Sequence, residues 1–496
     1  MEKENKIKLW FKKINWKLIS WILSIIGFIT IIGIVIGIKV NKPYKPSFYN
    51  YASYISQTNR KKLEKDFDYK EFQTIQEFTN ALDRNQAIGG ISTDNQAVTL
   101  IKKDKLKKID YEKILGKGIT SPEKFLTPVA WNFLTSYDDY LKTDINGNPF
   151  KDGPRHLWEY FVPYYIQSCV IAYNHSKNNN KYINVEPEDS YFEILQKLHK
   201  KGYKNLQVLD DVRNNLAIGS TRFKTKAING KNEYINKFNE FNGNATINNY
   251  EQQIDSFFNL ISDSLEWKIG EKSNKVIFNG DGQIVLESLI NLKSDCDMAL
   301  LFNGDALDAY YSGDNFEELA DQEGSITIVK PKNGILTMDG IVINKAIDKS
   351  SNSDKSIENI INAFCKTYKD VTVFDEITKE YDKDKSIKEL EKMTNYKVDE
   401  INENGKIIKE ISINYEATEF LSNFDLINYT PVYKVEYDFI KKHYFKYWDE
   451  DSNMIVNDND ASEIYSVDGA GYINIKPIPL SLMSKINVKY NLKIKS

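Results

Sequence analysis

Residues 48–103 read FYNYASYISQTNRKKLEKDFDYKEFQTIQEFTNALDRNQAIGGISTDNQAVTLIKK. Three times in this stretch a β-prone run gives way to a helical pattern. Phe48–Tyr54 reads as a strand and Ser56–Asp66 as a helix capped by Ser56. Phe72–Ile75 then leads into a helix over Gln76–Arg84, and Ala87–Ser92 into a helix over Asn95–Lys103. Such alternation is the signature of an α/β fold, a sheet with crossover helices. The pattern continues outward. Trp158–Val162 and Ser168–Tyr173 read as apolar strands around Pro163, and Ser190–Gly202 as an amphipathic helix with a Ser cap and a Gly stop. Leu206–Leu209 is an expected strand, with Asp211 leading into another helix. Strands follow at Met298–Phe302, Ser325–Val329 and Leu336–Asn344, and helices at Gln283–Leu292 and Ser356–Tyr368. Lys369–Glu416 is charged and poorly periodic and reads as a surface insertion. Within it, Asn404-Gly405 marks a hairpin between Lys397–Ile401 and Ile407–Ile413.

One apolar run stands apart. Leu18–Ile38 holds no charge, which is about the length a helix needs to cross a hydrocarbon layer roughly 30 Å thick. Six lysines precede it against Glu2 and Glu4, so residues 1–17 read as a cytoplasmic basic tail and everything after Ile38 as outside. Residues 39–47 form a linker kept extended by Pro43 and Pro46. A cleaved leader would end in a small-residue site, but Gly37-Ile38-Lys39-Val40 offers none. No cysteine lies near the outer end to carry a lipid. The expectation is an uncleaved single-pass anchor at the cell membrane.

The 496 residues carry a net charge of −4, while residues 1–45 alone carry nine Lys and two Glu, so the remainder is acidic at −11. That balance argues against nucleic acid as a partner, which calls for basic patches. Cys169, Cys296 and Cys365 are odd in number and widely spaced, unlike a disulfide scaffold. The four histidines show no zinc spacing. Asp449-x-Asp451-x-Asn453 is similar to the start of a calcium loop but lacks its glycine and closing glutamate. No metal or other cofactor is expected. There is no phosphate-binding glycine loop and no nucleophile elbow, so nothing in the sequence asks for an enzyme.

Several short segments share an order with a known family. They are Phe48-Tyr-Asn-Tyr-Ala-Ser-Tyr-Ile-Ser56, Ser92-Thr-Asp-Asn95, Tyr160-Phe-Val-Pro-Tyr-Tyr165, Leu209-Asp-Asp-Val-Arg213, Leu301-Phe-Asn-Gly-Asp305, Thr337-Met-Asp-Gly-Ile341, Ile427-Asn-Tyr-Thr-Pro431 and Lys476-Pro-Ile-Pro-Leu-Ser481. Together they resemble the spermidine/putrescine-binding proteins of polyamine ABC importers. The resemblance implies a two-lobed periplasmic-binding-protein-like fold of type II, with a hinge of crossing strands and ligand caught between the lobes. Mapped onto this chain, lobe 1 is 46–167 plus 338–437, with 369–416 as its insertion. Lobe 2 is 168–337 plus 438–496. The implied partners are a polyamine or other cationic amine and permease subunits with a separate ATPase.

A polyamine needs carboxylates for its ammonium groups, because a desolvated cation without an anion is costly. Its methylenes need apolar walls, and aromatic faces serve both parts. Carried over residue by residue, Tyr51 and Tyr54 match the family's first aromatic pair, and Phe302 and Tyr429 match further aromatic walls. Asp211 and Asp339 match the carboxylates that grip amino groups, and Thr93 and Asn95 a lining turn. Four lining positions depart from the pattern. Tyr51 replaces a frequent tryptophan, Ser53 and Asn214 replace acids, and Thr337 replaces an aromatic. These changes point to a shorter diamine or another amine-bearing solute. Plainer readings stay open. Asp211 suits a helix N-cap, Tyr51 and Tyr54 suit core packing, and the whole chain suits a surface adhesion or scaffold protein that kept the fold and lost its ligand.

Overall fold

The computed structural model describes residues 21, 24–33, 45–72, 75–224, 233–235, 244–268, 275–311, 324–349, 353–403, 406–449, 451–467, 473–474 and 477–495. Two compact units emerge, Met1–Pro46 and Ser47–Ser496. In the first, Trp21 and residues 24–33 are helical and exposed. Among the described residues no helix is long and apolar enough to cross a membrane. All of the expected cytoplasmic tail, part of the 18–38 span and much of the linker lie outside the described residues.

The second unit is built on one sheet, eleven-stranded among the described residues. Its main path runs Asp68–Phe72, Ser47–Tyr51, Ala87–Thr93, Ile335–Ile343, Val162–Asn174, Met298–Phe302, Leu206–Leu209, Val276–Asn279. The first three strands pair parallel, and so do the last three. Between them, Ile335–Ile343 and Val162–Asn174 run antiparallel to each other and to their outer neighbours. Val162–Asn174 is thirteen residues long and buried throughout. It pairs with Ile335–Ile343 through Ser168 and with Met298–Phe302 from Cys169 onward. Two long strands therefore carry the chain from one parallel group to the other.

Local chemistry explains most element ends. Ser56 caps Gln57–Glu64 by accepting from the Asn59 amide. Ser190 and Glu193 form a capping box on Tyr191–Lys201, which stops at Gly202 with φ +108°. The expected strands around Pro163 are instead a short 3-10 turn at Leu157–Glu159 and one continuous strand. Proline has no amide hydrogen to give a ladder. Here the register shifts at Asp339/Gly340, opposite Pro163, and the strand continues past it. The strand expected at Phe72–Ile75 lies earlier, at Asp68–Phe72, and residues 73–74 lie outside the described residues. As an edge strand it carries charges that hid its periodicity. The insertion contains an amphipathic helix, Lys383–Met393, besides the hairpin Lys397–Glu403/Lys406–Ser412; the Asn404-Gly405 turn lies outside the described residues.

Three buried clusters fill the unit. The first gathers Phe48 to Ile166, Leu307, and Leu336 to Val467. The second and third take alternate residues of Val162–Asn174. Cys169, Ile171 and Tyr173 join the second cluster with Ile478, Leu482 and Tyr490, whereas Val170 and Ala172 join the third. Period-two alternation places these on opposite faces of the sheet. Phe439 to Val467 belong to the first cluster. All three cysteines are buried and free.

Candidate functional site

Asp339 sits in the middle of Ile335–Ile343, a strand buried along its whole length. It faces Thr93 on one side and Tyr165 on the other in register. A buried carboxylate there needs donors. Tyr54 donates its hydroxyl to Asp339 Oδ2 at 2.9 Å, and Gln167 Nε2 donates to the same oxygen at 2.6 Å and to the Tyr54 hydroxyl at 3.0 Å. Burial pushes the Asp339 carboxyl up to about 7, against the pull of the Tyr54 and Gln167 hydrogen bonds. Gly340 follows because a Cβ there would meet the Phe161 ring at 2.4 Å. It is a close-approach glycine within a strand and not the turn that Asp-Gly suggests in sequence.

Aromatic rings surround this carboxylate. Tyr54 meets Tyr51, Tyr165 and Tyr429 edge-on, with centroids 5.4, 6.1 and 5.7 Å apart. Tyr429 donates to Asp305 Oδ1 at 2.6 Å. Burial pushes the Asp305 carboxyl up to about 7, with the Tyr429 hydrogen bond opposing. The Tyr51 hydroxyl is raised well above its ordinary value by burial first, then by the negative fields of Asp339, Asp211 and Asp94. The two expected carboxylates therefore act on one tyrosine from distant parts of the chain.

Asp211 also fulfils its plainer reading. It caps Val212–Ser220, its Oδ1 accepting from the Arg213 and Asn214 amides at 2.9 and 3.2 Å. Asn214, where the family has an acid, donates its side-chain amide to Asp211 Oδ2 at 3.1 Å. Thr93 caps the helix Asp94–Lys102, and the half-buried Asn95 follows it, its Oδ1 enclosed without a hydrogen-bond partner. Thr337 approaches Gln167 Oε1 at 3.5 Å. Phe302 ends its strand opposite Cys169 and packs against the first cluster. Ser53 is an exposed turn residue with φ +53°.

Sequence reasoning missed five members, Gln167, Asp94, Tyr137, Arg213 and Asp305. Gln167 is a lone amide in an apolar run, a signal that a buried partner exists. Asp94, wholly buried, accepts from the Tyr137 hydroxyl and from Arg213 Nη2, the latter at 3.4 Å. Burial pushes its carboxyl up, opposed by the Arg213 charge and the Tyr137 hydrogen bond. Asp305 lay within a quoted motif without a role. Two cavities, of about 520 and 230 Å³, lie elsewhere and are lined by none of these residues.

A sequence model described as "Hypothetical lipoprotein (MG045 family)" matches residues 12–469. The chain belongs to that family. Its first cysteine is Cys169, buried in the long central strand, so residues 1–45 offer no thiol for a lipid. Among solved structures, a Listeria monocytogenes protein taken to be a spermidine/putrescine ABC transporter aligns over 91% of this chain and 99% of its own, with a TM-score of 0.50 and 13% identity. The spermidine/putrescine ABC transporter substrate-binding protein of Streptococcus pneumoniae covers 91% and 100%, with a TM-score of 0.45 and 14% identity. The fold of the family member is thus a mixed α/β fold like that of periplasmic binding proteins. No curated protein matches it by sequence.

Proposed function

We propose that this chain is the solute-receptor subunit of an ABC importer and takes an amine-bearing cation, such as a polyamine, between two lobes. The observation that carries the reading is Asp339. It is a carboxylate at the crossing of two buried strands, ringed by Tyr51, Tyr54 and Tyr429 and held near neutrality by burial. An ammonium arriving there ionises Asp339, keeps the Tyr54 and Gln167 hydrogen bonds, and places its methylenes against the rings. Asp211 supplies a second negative end. Thr337 and Asn214, in place of an aromatic and an acid, favour a diamine or a simpler amine over spermidine.

The separate clusters support lobes close to 46–167 plus 338–467 and 168–337 plus 478–496, closing about the two crossing strands. The ligand-bound closed form then docks on permease subunits energised by a separate ATPase, and no bond is made or broken. The apolar run 18–38 anchors the chain as a single pass with the receptor outside. Calorimetry on the full chain in detergent, with putrescine, spermidine and lysine, tests the reading. Binding of at least one, weakened in Asp339→Asn, is the expected result. No heat from any of them at millimolar concentration retires the amine assignment. A second reading, a surface scaffold that kept the fold without a ligand, draws on the departures at Tyr51, Ser53, Asn214 and Thr337. It requires that no amine raise the melting temperature.

A further inference from the structure

A buried ion pair joins two of the hydrophobic cores beside this site. Asp94 opens the helix Asp94–Lys102, whose Ala97, Val98, Leu100 and Ile101 belong to the first cluster. Arg213 lies in the first turn of Val212–Ser220, whose Leu216, Ala217 and Ile218 belong to the second. Arg213 Nη2 donates to Asp94 Oδ2 at 3.4 Å, and the two residues are 9% and 0% exposed. Tyr137, from the first cluster, donates its hydroxyl to the same oxygen. A guanidinium carried by one core is thus buried against a carboxylate carried by the other. Asp339 and Asp211 also feel its charge.

We infer that the Arg213–Asp94 pair is an internal clasp, in which the guanidinium stands in for a ligand's cation and holds the site shut in the unliganded protein. Separating a buried pair takes from each group its opposite charge, which is disfavoured while both stay buried. Opening therefore requires Arg213 to reach water. A cation that reaches Asp94 replaces the guanidinium there and repels it outward, so the ligand opens the site by competition before the lobes close on it. This deepens the receptor reading given above and rests on it only for the identity of the competitor.

The clasp can be tested without ligand. Spin labels on Asn146→Cys and Lys200→Cys, one beside each core, report the inter-lobe distance by double electron–electron resonance. The native cysteines are buried. In the unliganded full chain one short distance is expected to dominate. Asp94→Asn and Arg213→Gln should each move the majority of molecules to a longer distance, and the double variant should move no further than either single one. Arg213→Lys and Tyr137→Phe, milder changes that spare the fold, should give intermediate populations. An unchanged distribution in both milder variants and in whichever stronger variants fold overturns the clasp. That result leaves the amine reading to its own calorimetric test, just as failed amine binding leaves the distance measurement standing.

Discussion

Tyr54 and Asp339, 285 positions apart in the chain, share a buried hydrogen bond of 2.9 Å. Gln167 completes the triangle. The carboxylate is thereby satisfied but not neutralised, and this sets what the site responds to.

Because burial holds Asp339 near 7, amine binding should depend on pH. Ligand requires the ionised carboxylate, so affinity should be about tenfold lower at pH 6 than at pH 8. Calorimetry in buffers of different ionisation enthalpy should show proton release near pH 6.5. A flat profile from pH 6 to 8 would remove Asp339 from the site.

Stability of the unliganded chain should run the other way. Asp339 and Asp305 near 7 and Glu436 near 8 are all raised by burial. Each favours the protonated folded state. Their contribution is full below the unfolded carboxylate range near 4 and is lost as pH rises through 7 to 8. The melting temperature should therefore fall between pH 5 and pH 8. Asp339→Asn should flatten part of that slope, which a calorimetric pH series reads directly.

Tyr54→Phe removes a donor from a buried carboxylate. The expected loss is about 1–3 kcal/mol of stability at pH 8 and less at pH 5, where Asp339 is protonated. Denaturant titration at both pH values checks it. Equal losses would mean that the ring and not the hydroxyl carries the effect.

Gly340→Ala should destabilise by about 1–3 kcal/mol through overpacking. Its new methyl meets the Phe161 ring at 2.4 Å and the Val162 carbonyl at 2.6 Å. A neutral effect in denaturant titration would show that the bulge opposite Pro163 yields easily.

The helices with clean signals, Ser56 into Gln57–Glu64 and Ser190 through Gly202, fell within a residue or two of their expected places because caps are local hydrogen bonds. Strands with unbroken apolar runs, such as Met298–Phe302, were equally legible. The charged edge strand Asp68–Phe72 and the strand through Pro163 were not, since each depends on a neighbour, a solvent edge in one case and a bulge in the other. At the site, Asp339 was marked in sequence by a charge inside an apolar run. Gln167, a lone amide in an apolar run, signalled only that some partner was buried with it, and Asp94 and Arg213 carried no mark that a role could be read from.

The order of residues alone determined that this chain alternates strands and helices, bears one long apolar run near its start, and buries a carboxylate at Asp339. Periodicity, capping and the cost of a charge among aliphatic neighbours are all written within a few positions of one another. Which charges meet was decided only by folding. Arg213 reaches Asp94, and Tyr54 reaches Asp339, because two long antiparallel strands bring separate parallel groups into one sheet. Contacts across such separations depend on packing between elements, which no local stretch of sequence encodes.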